Sequence, residues 1–502
     1  MKKIISLLVV VMLFAVALTG CGKQEAGEPD TIIVAQGADA KTLDPHATND
    51  QPSARVMKQI YNTLVAMDEN MNIVPVLATK WEQVDELTWE FTLRQGVKFH
   101  NGEELKASDV KFTLDRMVGS GQVAHIVSFI ESVEAPEDYK VVIRLKEPFA
   151  PILAHLAHTA ASILNEKAVT EAGDDYGTNP VGTGPFKFVS WQSGDSITLE
   201  AFEEHFAGAP KIKTVVFRNI TEGTNRTIAL ETGEVDIAYD IEPIDKSKVI
   251  NHPDLDLIEE PSLAIAYIGF NMNKEPFNIK EVRQAINYAI NRQDIVDTVL
   301  FGAGKIANSP IPPQVFGANP NVKEYEYNVE KAKELLKQAG FENGFKTTIW
   351  TNDNPIRRQI ATIVQAQLKE IGIDVTIETL EWGAYLDRTA RGEHDMFILG
   401  WVTVTGDADY GLYALYHSTQ KGGAGNRTFF ENPRVDELLE QARVSIDFEE
   451  RERLYHEAQE IIVEEAPVAL LYYSTQNVGL NKKVQGFKLH PAGHHSLFGV
   501  SK

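Results

Sequence analysis

A chain of 502 residues is too long for one hydrophobic core and points to two or three lobes. Its formal charge of −23 argues against nucleic acid and against a basic membrane-binding patch. The single cysteine, Cys21, excludes an intrachain disulfide, a cysteine nucleophile and a cysteine-based metal site.

In chain order, the first segment is "MKKIISLLVVVMLFAVALTGC". Two lysines, a short apolar run and small residues make residues 1–20 a secretory signal, with a run too short to span a bilayer comfortably. "LTGC" resembles the bacterial lipoprotein cleavage motif, which implies that Cys21 becomes the acylated first residue. Several acyl chains anchor a protein where one does not. Residues 21–30 lack an apolar period and form a tether.

"TWEFTL" (Thr88–Leu93) and "KVVIRL" (Lys140–Leu145) alternate as half-buried strands. "VGTGPF" (residues 181–186) lacks the GK[ST] ending of a phosphate loop and reads as a turn. "EVRQAINYAINR" (residues 281–292) carries Val282, Ala285, Ile286, Ala289 and Ile290 on one helical stripe. Asn328 caps a helix that ends at Gly340, Asn432 caps one with Pro433 at its first position, and Asp447 with Glu450 forms a capping box. Mixed helices and strands predict an α/β architecture.

Catalytic patterns are missing. "HEAQE" (residues 456–460) has Glu where a zinc protease needs its second His, and reads as an exposed helical face. No G-x-S-x-G occurs, no acid–base pair or triad assembles, and adjacent His494 and His495 diverge on a strand. The chain is therefore read as no enzyme, with no cofactor and no metal. Binding residues remain: "NPIRRQIATIVQAQLKEIGI" places Arg357 and Arg358 at a helix N-terminus, where the dipole does not favour a cation. An arginine there suits a carboxylate, which its planar fork grips with two hydrogen bonds.

Residues 77–117, "TLDP" (residues 42–45), "NPVGTGPFKFVSW" (residues 179–191), residues 267–292 and "GWVTVTGDADYGLYALYHS" (residues 400–418) resemble bacterial solute-binding proteins of the peptide/nickel class. These are extracytoplasmic receptors of ABC importers. The resemblance implies a two-lobed periplasmic-binding-protein-like fold with an extra subdomain and a ligand cleft between the lobes. It assigns residues 31–70, 182–265 and 478–502 to the first lobe, 71–181 to the extra subdomain and 266–477 to the second lobe. It also implies a monomer, two permease subunits with their ATPases as partners, and a lipid anchor on the outer face of the cytoplasmic membrane or in the periplasmic space.

In peptide-binding members an Asp three residues after the Trp corresponding to Trp401 pairs with the ligand's α-amino group. Here that position is Val404, with Asp407 as a displaced substitute. The loop and residues 152–169 resemble the glutathione-binding branch. The expected ligand is thus a small peptide-like solute of glutathione type; a dipeptide, oligopeptide or opine is the alternative. The absence of His around Trp401 argues against nickel and haem. A non-transport hydrolase, sensor or chaperone on this fold is the remaining class. The expected ligand-binding residues are Trp401, Thr403, Thr405, Asp407, Tyr267 at the start of a strand, and Arg358 as carboxylate clamp with Arg357 as fallback. Asp409 is expected to cap the following helix.

Overall fold

A computed structural model describes residues 30–502. The signal, Cys21 and nearly all of the tether lie outside these residues.

An 11-stranded sheet runs through both lobes. From one edge its order is Asp374–Leu380, Lys346–Asn352, Met396–Val402, Leu255–Phe270, Val468–Asn481, Ile237–Tyr239, Thr31–Gln36, Thr214–Asn219, Ser196–Ala201 and Phe186–Gln192, with Lys305–Ile306 beside Val468–Asn481. Parallel pairs sit on both sides of its middle: Thr31–Gln36 with Thr214–Asn219, and Lys346–Asn352 with Asp374–Leu380. The second pair is linked by the helix Pro355–Lys369, as a parallel connection requires.

The two long antiparallel strands in the middle join the lobes. Leu255–Pro261 pairs with the part of Val468–Asn481 that also contacts Ile237–Tyr239, whereas Ala264–Phe270 pairs with Met396–Val402. Register between the long strands breaks from Pro261 to Ile265. Proline has no N–H to donate, so the ladder is weakest there. The chain crosses between lobes at this break.

A four-stranded antiparallel sheet, in the order Ala78–Asp85, Thr88–Leu93, Lys140–Leu145, Ile130–Glu137, builds the extra subdomain. Phe91, Val141 and Ile143 are fully buried on it. Gly182 and Gly184 lie where the chain returns to the first lobe. A Cβ on Gly182 would stand 2.1 Å from the Ile60 oxygen, and one on Gly184 2.4 Å from the Ile60 carbonyl carbon. The glycines of "VGTGPF" thus serve close backbone approach, sealed by Gly184 N–H donating to Ile60 O at 2.8 Å.

Most local expectations match the observed elements, caps included: Asn328, Asn432 and Asp447 each accept amide protons at a helix start. Three differ. The helix expected through Arg292 stops at Ala289, because Asn291 accepts the Gln293 amide and starts a second helix, Arg292–Thr298. "HEAQE" is not an exposed face. Gln459 is fully buried and donates to Gly317 O while accepting from Ser309 Oγ. His494 and His495 lie in a buried loop, not on a strand. Among the described residues no helix is long and apolar enough to cross a membrane.

Candidate functional site

A cavity of about 300 Å³ lies between the lobes at the strand break. The backbone of Ala264–Ile265–Ala266 and of Leu399–Gly400–Trp401 forms one wall. The first lobe contributes the start of the helix Gln51–Ile60, and the extra subdomain contributes His158–Thr159–Ala160. Several contacts hold the lobes together around it, among them three between charged or aromatic side chains. Lys41 pairs with Asp387 at 2.6 Å, Trp382 Nε1 donates to Asp50 Oδ2 at 3.1 Å, and Arg358 pairs with Glu222 at 2.7 Å.

Arg357 lines the cavity. It precedes Arg358 by one residue in the helix, and the ~100° per residue turn of an α-helix sends the two side chains apart. Its guanidinium donates to Asn352 Oδ1 at 3.0 Å and lies 5.4 Å from the Trp382 ring centroid. It has no carboxylate partner among the described residues. Arg358 instead is exposed at the cleft rim, occupied by Glu222, and does not line the cavity.

The segment from Trp401 to Asp409 divides in the same way. Trp401 is buried, faces the cavity and packs 5.2 Å from the Tyr410 ring; Val404 also lines it. Thr403 is fully buried behind the wall, its N–H donating to Leu263 O at 2.9 Å. Thr405 Oγ1 donates to Asp407 O at 3.3 Å. Asp407 caps the helix Ala408–Tyr416 by accepting the Asp409 amide, and its other oxygen accepts from Arg451 at 2.7 Å. Asp407, not Asp409, is the cap. Asp409 lies in the first turn, paired with Arg443 at 3.1 Å and His155 at 3.2 Å. Thr403, Thr405 and Asp407 do not line the cleft cavity. Tyr267 sits inside the strand Leu255–Phe270, edge-on to Phe397 at 6.0 Å, and burial pushes its phenol up to about 12. It too lies away from the cleft cavity.

Other cleft groups carry no motif in the sequence. Arg427 is buried at the cavity wall and donates to Thr389 Oγ1 and Ala424 O, with no carboxylate partner among the described residues. Arg55 forks onto Asp240 at 2.8 and 3.2 Å; burial alone would raise the Asp240 carboxyl, but Arg55 outweighs it and holds it below the usual range. Asp50 accepts from Thr48 Oγ1, Ser53 N and Trp382 Nε1, and no cation pairs with it among the described residues. In sequence Asp50 shows only as the residue before "QPS", a helix cap. It is that cap as well.

With Arg55 and Asp240 neutralising each other, the cavity presents two unpaired guanidinium groups and one unpaired carboxylate. A second cavity, about 400 Å³, lies wholly within the second lobe beside Arg292. Arg292 donates there to Leu470 O, Tyr325 O and Asn287, so fixed dipoles already satisfy it.

A cavity between two α/β lobes hinged on two crossing strands, its largely apolar wall set with a few charged groups, defines a solute-binding protein. The chain matches the model of bacterial extracellular solute-binding proteins, family 5 middle region, over residues 72–423, and belongs to that family. It is a substrate-binding protein of the ABC-importer class. It is 34% identical over 475 residues to the glutathione-binding protein GsiB of Pectobacterium atrosepticum, covering 91% of each chain. Its fold is similar to the ABC transporter-associated periplasmic binding protein DppA of Helicobacter pylori in complex with the peptide STSA. That likeness has a TM-score of 0.89 and 35% identity, covering 94% of this chain and 98% of that one. The binding protein AgaA of A. tumefaciens R10, in complex with agropinic acid, is similar at TM-score 0.87 and 27% identity, covering 94% and 98%.

Proposed function

We propose that this protein captures a small peptide-like solute bearing more carboxylates than amines, of glutathione type, and delivers it unchanged to a membrane permease driven by ATPases. The observation that carries the reading is the cavity charge: Arg357 and Arg427 without carboxylate partners, against Asp50 without a cation. Glutathione has two carboxylates and one ammonium, which complements that set. A cavity of about 300 Å³ stands at the small end of ligand sites and disfavours long peptides. Likeness to glutathione-binding relatives supports the same class. An opine is the second reading, favoured by the likeness to the agropinic-acid complex and by the same cationic wall.

In this reading Arg357, Trp401 and Val404 touch ligand. Thr403, Thr405 and Asp407 hold the loop that presents Trp401, Tyr267 packs beneath the wall, and Arg358 closes the rim. The protein acts as a monomer without catalysis, on a lipid anchor at Cys21 outside the cytoplasm. A thermal-shift screen of the body from about Gly22 onward tests the ligand class, since a ligand that binds only the native state raises its stability by mass action. Reduced and oxidised glutathione are expected to shift the transition more than di- and tripeptides, opines or nickel. A clear shift with ordinary dipeptides and none with glutathione would sink the assignment.

A further inference from the structure

Beyond Val404 the cleft opens into a side pocket of about 30 Å³. Lys58, Met67, His158, His490, His494 and Val404 wall it, and His158, Thr159, Val404 and His494 also line the main cavity. The space exceeds the ~10–15 Å³ one water needs and suits a group of a few heavy atoms.

Two of its histidines are fully engaged. His158 Nδ1 accepts from Ala160 N and its Nε2 meets Tyr410 OH at 3.0 Å. His490 Nδ1 accepts from Ala492 N, which leaves Nε2–H to donate to Met67 O at 3.1 Å. His494 differs: its one side-chain hydrogen bond among the described residues is Nδ1 with Thr159 Oγ1 at 3.4 Å, which leaves Nε2 open. Burial holds His158 at about 3 and His494 well below the ordinary imidazole range, so neither is a cation at neutral pH. Nor do the histidines form a metal cluster: among the described residues no group of three or more His, Cys, Asp or Glu is placed to hold a metal ion.

Lys58 supplies the charge. It is half-buried in the last turn of the helix Gln51–Ile60 and makes no hydrogen bond or ion pair among the described residues. The helix dipole favours a cation there but satisfies none of the three N–H donors of an ammonium. The nearby acids are taken. Glu69 pairs with Lys488 at 3.3 Å, and Asp68 accepts the amides of Asn70 and Asn72 at 2.9 Å each. At the Val404 end of the cleft this chain therefore sets an unpaired lysine and an open imidazole nitrogen.

We propose that this side pocket is a carboxylate subsite, in which Lys58 pairs with one carboxylate of the bound solute and His494 Nε2–H donates to it. The inference rests on the cleft being the ligand site and adds what its Val404 end selects: a carboxylate-bearing terminus, with exclusion of an ammonium.

The test is calorimetry on the wild type and Lys58→Met, with four probes. They are glutathione, its C-terminal amide, 4-aminobutyryl-cysteinyl-glycine (which lacks the γ-glutamyl carboxylate), and glutarate as a minimal dicarboxylate. In the wild type, removing one of the two carboxylates is expected to weaken binding at least about tenfold. Lys58→Met should lose a similar factor for intact glutathione and be indifferent to that same removal, the non-additivity of a direct pair. Unchanged melting of Lys58→Met establishes that it folds. If it does not, Lys58→Arg, which keeps the charge, must retain the wild-type ranking of probes. Glutathione binding insensitive to Lys58→Met overturns the subsite and leaves the proposed function standing. Glutarate binding that depends on Lys58, with no response to glutathione, upholds the subsite and overturns the glutathione reading. No binding of any probe overturns both.

Discussion

Arg357 and Arg358 are neighbours in sequence with opposite surroundings, so their alanine variants separate ligand grip from lobe closure. Arg357 faces the cavity without a carboxylate partner. Removing it leaves a ligand carboxylate desolvated and unpaired, which costs ~2–5 kcal/mol. At ~1.4 kcal/mol per decade, that weakens binding by roughly 30-fold to several thousandfold. Arg358 meets Glu222 at the rim, with side chains 44% and 52% exposed. Exposed pairs contribute only ~0.2–1 kcal/mol, so Arg358→Ala should cost less than about fivefold. Glu222→Gln should reproduce it, because both remove the same rim contact. Calorimetry with reduced glutathione reads all three, with melting curves to establish folding. A loss above tenfold in Arg358→Ala beside a near-neutral Arg357→Ala would refute the assignment of Arg357 to the ligand.

Three further outcomes follow from named contacts. Trp382→Phe keeps an aromatic ring stacked on Tyr385 but removes the donor to Asp50 across the lobes. A hydrogen bond to a charged group is worth ~1.5–3 kcal/mol, so stopped-flow dissociation should be at least about tenfold faster, and an unchanged rate would discount that latch. Gly184→Ala forces a Cβ to 2.4 Å from Ile60 C and 2.5 Å from Gln59 O. It should lower stability by ~1–3 kcal/mol by denaturant titration; a neutral variant would show that the turn can shift. Asp409 is held at about 2: burial alone would raise it, but Arg443 and His155 outweigh burial. A depressed folded pKa stabilises above the unfolded value of ~3.9 and loses that contribution as pH falls through the folded one. The shift amounts to about 2–3 kcal/mol. The stability gap between wild type and Asp409→Asn should therefore narrow from pH 5 to pH 2, and a gap constant across that window would contradict the linkage.

Local structure was legible in the sequence because single residues decide it. Asn328, Asn432 and Asp447 start helices by accepting amides, and period-2 alternation marks Thr88–Leu93 and Lys140–Leu145. The site was less legible, because side-chain direction there depends on backbone events that periodicity does not encode. The strand Met396–Val402 ends one residue after Trp401, so alternation cannot carry Thr403 and Thr405 to the cavity. Neither Arg357 nor Arg358 belongs to the apolar stripe of its helix, so the pattern could not say which turns inward. Asp407 looked like a free carboxylate because its partner, Arg451, is 44 residues away. Lys58 and His494 meet at one pocket from opposite ends of the chain, and only the tertiary fold brings them together.

The crossing strands also explain why ligand and closure are coupled. Ala264, Ile265 and Ala266 line the cavity immediately after the register break, and Tyr472 and Ser474 line it from the partner strand. A change in lobe angle at the break therefore moves cavity walls directly, as in hinge closure around a ligand. The rim contacts Lys41–Asp387 and Glu222–Arg358 are partly exposed and weak one by one. They cannot hold the closed form strongly without help, and a ligand shifts the balance only by contacts it makes better in one state. Arg357 belongs to the second lobe and Lys58 to the first. A solute with carboxylates at both ends can tie one lobe to the other through Arg357 and Lys58, whereas a solute without the second carboxylate loses that tie and keeps across the cleft only what its ammonium makes with Asp50. Selection for a second carboxylate and selection for closure are then the same physical event.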